Sequence, residues 1–261
     1  MQNNAPIGDP LPGLTREPIR VAVAGARGRM GVEVVRAVTA APDMCVVAEL
    51  SRGDDAAARL AEARPQVLVE FSVPGSVMAN VRAALAAGVV PLIGTTGIGD
   101  AECAEIAALC ERYATPALLA PNFALGAVLL MRFAAEAARY FPDAEIIEMH
   151  HERKLDAPSG TASRTAQRIA AGRVDTPLGT PPGAFETAAG ARGGVVAGVP
   201  VHSVRLPGFV ASEEVIFGAP GQRLTLRHDS TDRTSFMPGV LLAVRQAHRL
   251  RGLVIGLENL L

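Results

Sequence analysis

Between residues 19 and 120, five short β-rich runs alternate with four helix-like stretches, and this alternation narrows the possible folds more than any other feature. The runs are IRVAVA (19–24), CVVAEL (45–50), QVLVEF (66–71), VVPLIG (89–94) and PALLA (116–120). Helix patterns lie between them, at about 29–41 and in AAARLAEA, VMANVRAALAAG (closed by Gly88) and AECAEIAALCERY. A strand must cross over to lie parallel to its predecessor, and a helix is the usual crossover. Strands apolar on both faces are covered on both faces. The spacing therefore predicts an α/β fold with a doubly wound parallel sheet.

The texture changes after Asn122. A helix pattern over about 125–141 leads into an alternating strand, AEIIEMHH, and a second helix is expected over 161–171. Residues 172–200 hold many Gly and Pro and read as loop. VHSVRL, EEVIFG and QRLTLRHD then read as three strands of an antiparallel or mixed sheet, the last two joined by the turn-rich GAPG. The final helical pattern, RTSFMPGVLLAVRQAHRL, has no strand left to accompany in that sheet, so it is expected to return to the first unit. Three parts follow: a disordered lead-in over 1–18, a dinucleotide-binding unit over 19–121 and 234–261, and a substrate-binding and oligomerisation unit over 122–233.

The first strand ends in GARGRMG, which places Gly25, Gly28 and Gly31 at intervals of three between a strand and a helix. Small residues there let the backbone approach a pyrophosphate, and free N–H groups at the helix start hold the anion. Alone the spacing is only a glycine-rich turn; the five-strand βαβ context makes it a dinucleotide site. Arg27 and Arg29 are cations beside it or plain surface charge. Ligands of an open α/β sheet lie at the carboxyl ends of the strands. That picks out the loops after the fourth and fifth strands, GTTG (94–97) and APNF (120–123), with Thr95, Thr96 and Asn122 able to meet ribose or nicotinamide.

Residues 150–162 read HHERKLDAPSGTA, and Lys154 is the only lysine in a chain with 25 Lys and Arg. Arginine stays charged, whereas a lysine can surrender its proton. One retained amine beside His150 and His151 points to general acid chemistry. Ser159 and Thr161 are cap-type residues and Gly160 admits close approach, so a helix starting there offers unpaired N–H groups to a carboxylate or phosphate. His202, His228 and His248 are isolated and read as structural. No cluster has metal-ligand spacing, since adjacent His150 and His151 point to opposite sides of a strand.

Net charge is −1, which suggests neither nucleic acid nor an anionic membrane as a partner. The longest apolar run, ALLAPNFALGAVLLM, is too short to span a bilayer. The N-terminus lacks the basic and apolar regions of a signal peptide. Three unpaired cysteines suit a reducing, cytoplasmic setting.

GARGRMG, GTTG, APNF and above all EMHHERKLDAPSGTA resemble the 4-hydroxy-tetrahydrodipicolinate reductase (dihydrodipicolinate reductase) family of bacterial diaminopimelate and lysine biosynthesis, its actinobacterial members most of all. The resemblance runs from about residue 19 to the C-terminus and includes HDSTDRTSFMPGVLLAVR. It implies a Rossmann-like domain, a mixed-sheet substrate domain and a homotetramer. It also implies hydride transfer from NADH or NADPH to a small cyclic imine-enamine dicarboxylate. His150 and Lys154 match the proton-donating pair. His151, Gly160 and Thr161 match substrate contacts, the last two gripping a carboxylate. Gly25, Ala26, Arg27, Gly28, Arg29, Met30, Gly94, Thr95, Thr96, Ala120, Pro121, Asn122 and Phe123 match dinucleotide contacts. Many members carry an acid at the end of the second strand; here Ser51 stands there, followed by Arg52, with Glu49 two residues earlier. Another two-domain amino-acid-pathway dehydrogenase, or a dinucleotide sensor without turnover, would share the glycine loop. The sensor would have no use for the His-His-Lys cluster.

Overall fold

The structure, a computed structural model, describes residues 17–179 and 182–261. Nearly all of the expected lead-in, residues 1–16, lies outside them. Strands β1 (Ile19–Ala24), β2 (Met44–Leu50), β3 (Val67–Glu70), β4 (Val90–Ile93) and β5 (Ala117–Leu119) form a parallel sheet in the order β5-β4-β3-β1-β2. Its crossovers are α1 (Gly31–Ala40), α2 (Ala56–Ala63), α3 (Pro74–Ala86) and α4 (Asp100–Tyr113). Local chemistry starts these helices. Asp55 accepts the Ala58 N–H at the head of α2, Pro74 opens α3 where no N–H is needed, and Glu102 accepts the Gly99 N–H before α4.

α5 (Leu125–Ala137) leads into β6 (Asp143–His150), and α6 (Gly160–Gly172) follows. The second sheet adds β7 (Gly194–Val196), β8 (Val199–Arg205), β9 (Ala211–Ala219) and β10 (Gln222–Ser230), in the order β10-β9-β6-β8-β7. β6 is inserted between β8 and β9, parallel to the first and antiparallel to the second. β9 and β10 form a hairpin over Pro220 and Gly221, with Gly221 at positive φ. Helices α5 and α6 cover one face, burying Ala134, Ala166 and Ile169 against Ile146, Val201, Val215 and Phe217. α5 serves two cores at once. Val128 and Met131 belong to the core of the first sheet, Leu130 and Ala134 to that of the second.

The segment read as loop over 172–200 contains β7, a three-residue edge strand too short to announce itself. The last helical pattern divides into a 3₁₀ turn (Arg233–Phe236), α7 (Met237–Gln246) and a second turn (Ala247–Arg249). α7 packs on α1 and β1, and β11 (Leu253–Ile255) then pairs in parallel with β5 as a sixth strand of the first sheet. Three residues between Gly252 and Gly256 gave no periodicity to read. α7 lies close against the loop after β5. A Cβ on Gly239 would sit 2.0 Å from the Phe123 carbonyl oxygen and 2.8 Å from Leu257 Cδ2. Gly239→Ala should therefore cost about 1–3 kcal/mol. For a chain of this size that lowers Tm by about 2–4 °C per kcal/mol, read by thermal unfolding. An unchanged Tm would contradict the docking of α7.

Candidate active site

The carboxyl ends of β1, β4 and β5 carry the loops singled out by sequence. Gly25 has φ +73°, and a Cβ there would lie 2.4 Å from the Phe71 carbonyl oxygen; a Cβ on Gly31 would lie 2.1 Å from Gly25 O. The two glycines let the turn fold tightly on itself. The N–H groups of Gly25 and Ala26 go to Leu50 O, and that of Gly28 to Gly25 O. Those of Arg27, Arg29, Met30 and Gly31 have no protein partner among the described residues. Free donors at the head of α1, with exposed Arg27 and Arg29 beside them, fit the pyrophosphate of a dinucleotide.

The flanking loops are braced from below by a residue that sequence reading passed over. Glu70, fully buried at the end of β3, accepts from the Ser72 N–H (2.7 Å), Asn80 Nδ2 (2.8 Å) and Thr95 Oγ1 (3.2 Å). The Thr95 hydroxyl thus turns inward, and Thr96 is the exposed one of the pair. Phe71 packs its ring against Gly94 and, at 5.6 Å between centroids, against Phe123. Ala26, Ala120 and Phe123 are buried, while Pro121 is exposed and Asn122 half-buried. At the end of β2, Asp54 Oδ2 accepts the Ser51 N–H at 2.7 Å, Arg52 is exposed, and so is Glu49.

On the helix-covered face of the second sheet, directly paired residues form cross-strand rows. Val201, Ile146, Val215 and Leu226 make one; Ser203, Glu148, Glu213 and His228 the next; Arg205, His150, Ala211 and Ser230 the one at the site. The face passes from apolar to ionisable within two residues of each strand. Glu148 is fully buried. Arg205 donates to both its oxygens, at 2.8 and 2.7 Å, and the Ser159 N–H donates at 3.1 Å. His150 Nδ1 lies 2.6 Å from Oε2. Burial alone would raise the Glu148 carboxyl; hydrogen bonds from His150, Arg205 and Ser203 outweigh it and hold the group at about 2. An ionised carboxylate only accepts, so Nδ1 carries a proton and Nε2 is the nitrogen left for exchange.

Three further contacts bring the remaining candidates together. Lys154 Nζ donates to both Asp156 oxygens, at 2.8 and 2.9 Å, and that pairing holds Asp156 below the usual carboxylate range. Arg205 Nη2 donates to Asp156 O at 2.7 Å, tying this loop to Glu148. Asn122 Nδ2 donates to Thr161 Oγ1 at 3.3 Å, joining the loop after β5 to the head of α6. Ser159 caps α6 through its hydroxyl, accepting the Ala162 N–H at 3.1 Å. The N–H groups of Gly160 and Thr161 have no protein partner among the described residues, and nothing lies within 4 Å of where a Gly160 Cβ would be. His151 Nδ1 is buried and has no partner among the described residues. No group of three or more His, Cys, Asp or Glu is placed to hold a metal among the described residues, and no described helix is long and apolar enough to cross a membrane.

Family models described as "Dihydrodipicolinate reductase, N-terminus" and "Dihydrodipicolinate reductase, C-terminus" match residues 19–123 and 126–261. The chain belongs to the dihydrodipicolinate reductase family. Curated relatives named 4-hydroxy-tetrahydrodipicolinate reductase include that of Moorella thermoacetica, 51% identical over 93% of this chain and 98% of its own. The relative from Streptomyces coelicolor is also 51% identical, with the same coverage of both chains. A solved structure titled "Dipicolinate bound Dihydrodipicolinate reductase from Paenisporosarcina sp. TG-14" is 43% identical with a TM-score of 0.83, covering 94% of this chain and all of that one.

Sequence reading missed Glu148 and Arg205. Glu148 was legible, standing two residues before His150 on an alternating strand and so on the same face. Its folded pKa is depressed below the ordinary 4.5, so the stability it contributes is present above pH 4.5 and lost as pH falls through 4.5 towards 2. Between pH 5 and 3 the wild type should lose about 2 kcal/mol of unfolding free energy that Glu148→Gln does not lose. Denaturant titrations across that range check it; parallel pH dependences would mean Glu148 is not paired as described.

Proposed function

We propose that the protein is an NAD(P)H-dependent 4-hydroxy-tetrahydrodipicolinate reductase. It reduces the cyclic imine-enamine dicarboxylate derived from 4-hydroxy-tetrahydrodipicolinate to tetrahydrodipicolinate, in diaminopimelate and lysine biosynthesis. One observation carries the reading of the site: the unpaired N–H groups of Gly160 and Thr161 share a connected network with His150, Lys154 and the Asn122 loop. The nicotinamide cofactor, when bound, supplies the hydride.

The chain's own residues divide the remaining work. The 25–30 turn holds the pyrophosphate, and loops 94–96 and 120–123 flank the nicotinamide end. Gly160 and Thr161 grip one substrate carboxylate at the head of α6. His151, with its unpaired Nδ1, meets the substrate beside them. Lys154 Nζ and His150 Nε2 are the proton donors for the reduced ring. Asp156 holds the Lys154 ammonium in place, and Glu148 fixes the His150 tautomer. Residues 19–121 and 234–261 form the dinucleotide-binding unit, and 122–233 the substrate-binding unit. The uncovered face of the second sheet, with Ile147 and Ile216 part-exposed, supports assembly as a homotetramer; the setting is the cytoplasm.

Lys154→Arg keeps the charge but holds its proton too tightly to give it up. It should behave almost as badly as Lys154→Ala, with turnover down about 100- to 10,000-fold. The assay follows NADPH absorbance with freshly generated substrate, and turnover of Lys154→Arg within a few-fold of wild type would remove the acid role.

Cofactor choice rests on the end of β2. A carboxylate there bonds the ribose hydroxyls and repels a 2′-phosphate, whereas an arginine pairs with the phosphate. Ser51 does neither and Arg52 is exposed, so NADPH should serve at least as well as NADH. Ser51→Asp should shift the ratio of kcat/KM values towards NADH by about tenfold, or about 1.4 kcal/mol. Strong NADH selectivity in the wild type would instead implicate Glu49 or Asp54.

A further inference from the structure

The middle cross-strand row contains a second buried carboxyl, which the mechanism does not use. Glu213 on β9 is 5% exposed and is the direct cross-strand partner of Glu148. Among the described residues its buried Oε1 has no hydrogen-bond partner and no salt bridge reaches it. We propose that Glu213 is a positioning residue that acts through charge. As a neutral carboxylic acid it leaves the head of α6 electropositive enough to grip a substrate carboxylate, and its ionisation weakens that grip. The inference rests on reading Gly160 and Thr161 as the carboxylate site.

The neighbours of Glu213 argue for the neutral form. Glu148 on β6 is an anion already matched to Arg205, the cation that β8 supplies. His228 on β10 is its partner on the other side; burial lowers its pKa despite Asp229, so it supplies no compensating charge in the alkaline range. α5 presents Gly126 to that ring. From α6, Thr165 faces Glu213 but donates its one hydroxyl proton to Thr161 O, at 3.1 Å. While that bond stands, Glu213 bonds Thr165 only by donating, which requires a protonated carboxyl. Burial pushes Glu213 up to about 7, and the Glu148 charge adds to the rise. An added charge beneath the first turns of α6 acts directly against an anion bound at its N-terminus.

Dipicolinate is a suitable probe, because its carboxylates stay ionised from pH 6 to 8.5 and it is not consumed. Its Kd is measured by calorimetry with NADPH saturating, in wild type and in Glu213→Gln. Between pH 6 and 8.5 the wild-type Kd should rise about tenfold more than that of Glu213→Gln. Glu213→Met, a second neutral side chain, should follow the shallower profile of Glu213→Gln. Superimposable profiles for wild type and both variants would overturn the proposal.

Thermal unfolding without ligand provides an independent check. A carboxyl whose folded pKa lies above its unfolded value of 4.5 loses its stabilising effect as pH rises from 4.5 through 7. The Tm of Glu213→Gln relative to wild type should therefore climb between pH 5 and 8. A constant difference would mean Glu213 ionises normally, and the inference falls whatever dipicolinate does. If Tm behaves as expected but dipicolinate binds neither protein at pH 6, the carboxylate site itself is misassigned and the inference falls with it.

Discussion

A carboxylate with no exposure to water organises the end of β6 and the head of α6. Moving Glu148 out of water costs several kcal/mol, and that cost is offset only if its lone pairs are filled by well-placed donors. They are: two guanidinium nitrogens, a backbone N–H and an imidazole nitrogen, drawn from β8, the α6 cap and its own strand. Losing one partner leaves a buried charge uncompensated, typically a loss of about 3–5 kcal/mol. The pairing therefore fixes more than a side chain. It sets the tautomer of His150, the start of α6 and, through Arg205, the loop that carries Lys154.

The two sheets meet at this network because one helix belongs to both cores. With α5 packed into each, the loop at its head cannot shift without disturbing both, and that loop contains Asn122. The Asn122–Thr161 bond then joins the loop after β5 to the head of α6. On the other side of α6, Glu258 near the C-terminus takes Arg164 at 2.7 Å and also bonds Arg168. α6 is thus held at its head by the Glu148 and Asn122 contacts and along its flank by the terminal segment.

The parts of this architecture legible in sequence were those written in local patterns. Five strands alternating with helices, a glycine turn and a Ser-Gly-Thr helix start each follow from neighbouring residues and recur in the structure. β7 and β11 escaped because three residues carry no period. Arg205 escaped for a different reason: it reaches Glu148 only because β6 is threaded between β8 and β9, which no local pattern encodes. Glu70 reads as the last residue of an apolar strand, and its role depends on Asn80 and Thr95 converging on it from later elements. Thr95 had been grouped with Thr96 as a ligand-facing pair. In the loop after β4 their side chains part, Thr95 turned into the protein and Thr96 out.

The single lysine can now be weighed against the residues around it. Position 154 faces the Asp156 carboxylate, and an arginine there could bind it through two parallel N–H bonds, a geometry stable enough to hold both groups in place. Arg205 already fills that structural role a few ångströms away, on Glu148. Lysine offers instead a compact ammonium with three donors; Asp156 takes two oxygens' worth of contact and leaves a donor free to meet a ligand. Two cations thus meet at one loop, Lys154 within it and Arg205 reaching it from β8. Arg205 is fixed by its bonds to Glu148, whereas the proposed function asks Lys154 to give up a proton. A composition that uses arginine at every other cationic position, yet keeps an amine at this one, is what that division of labour demands.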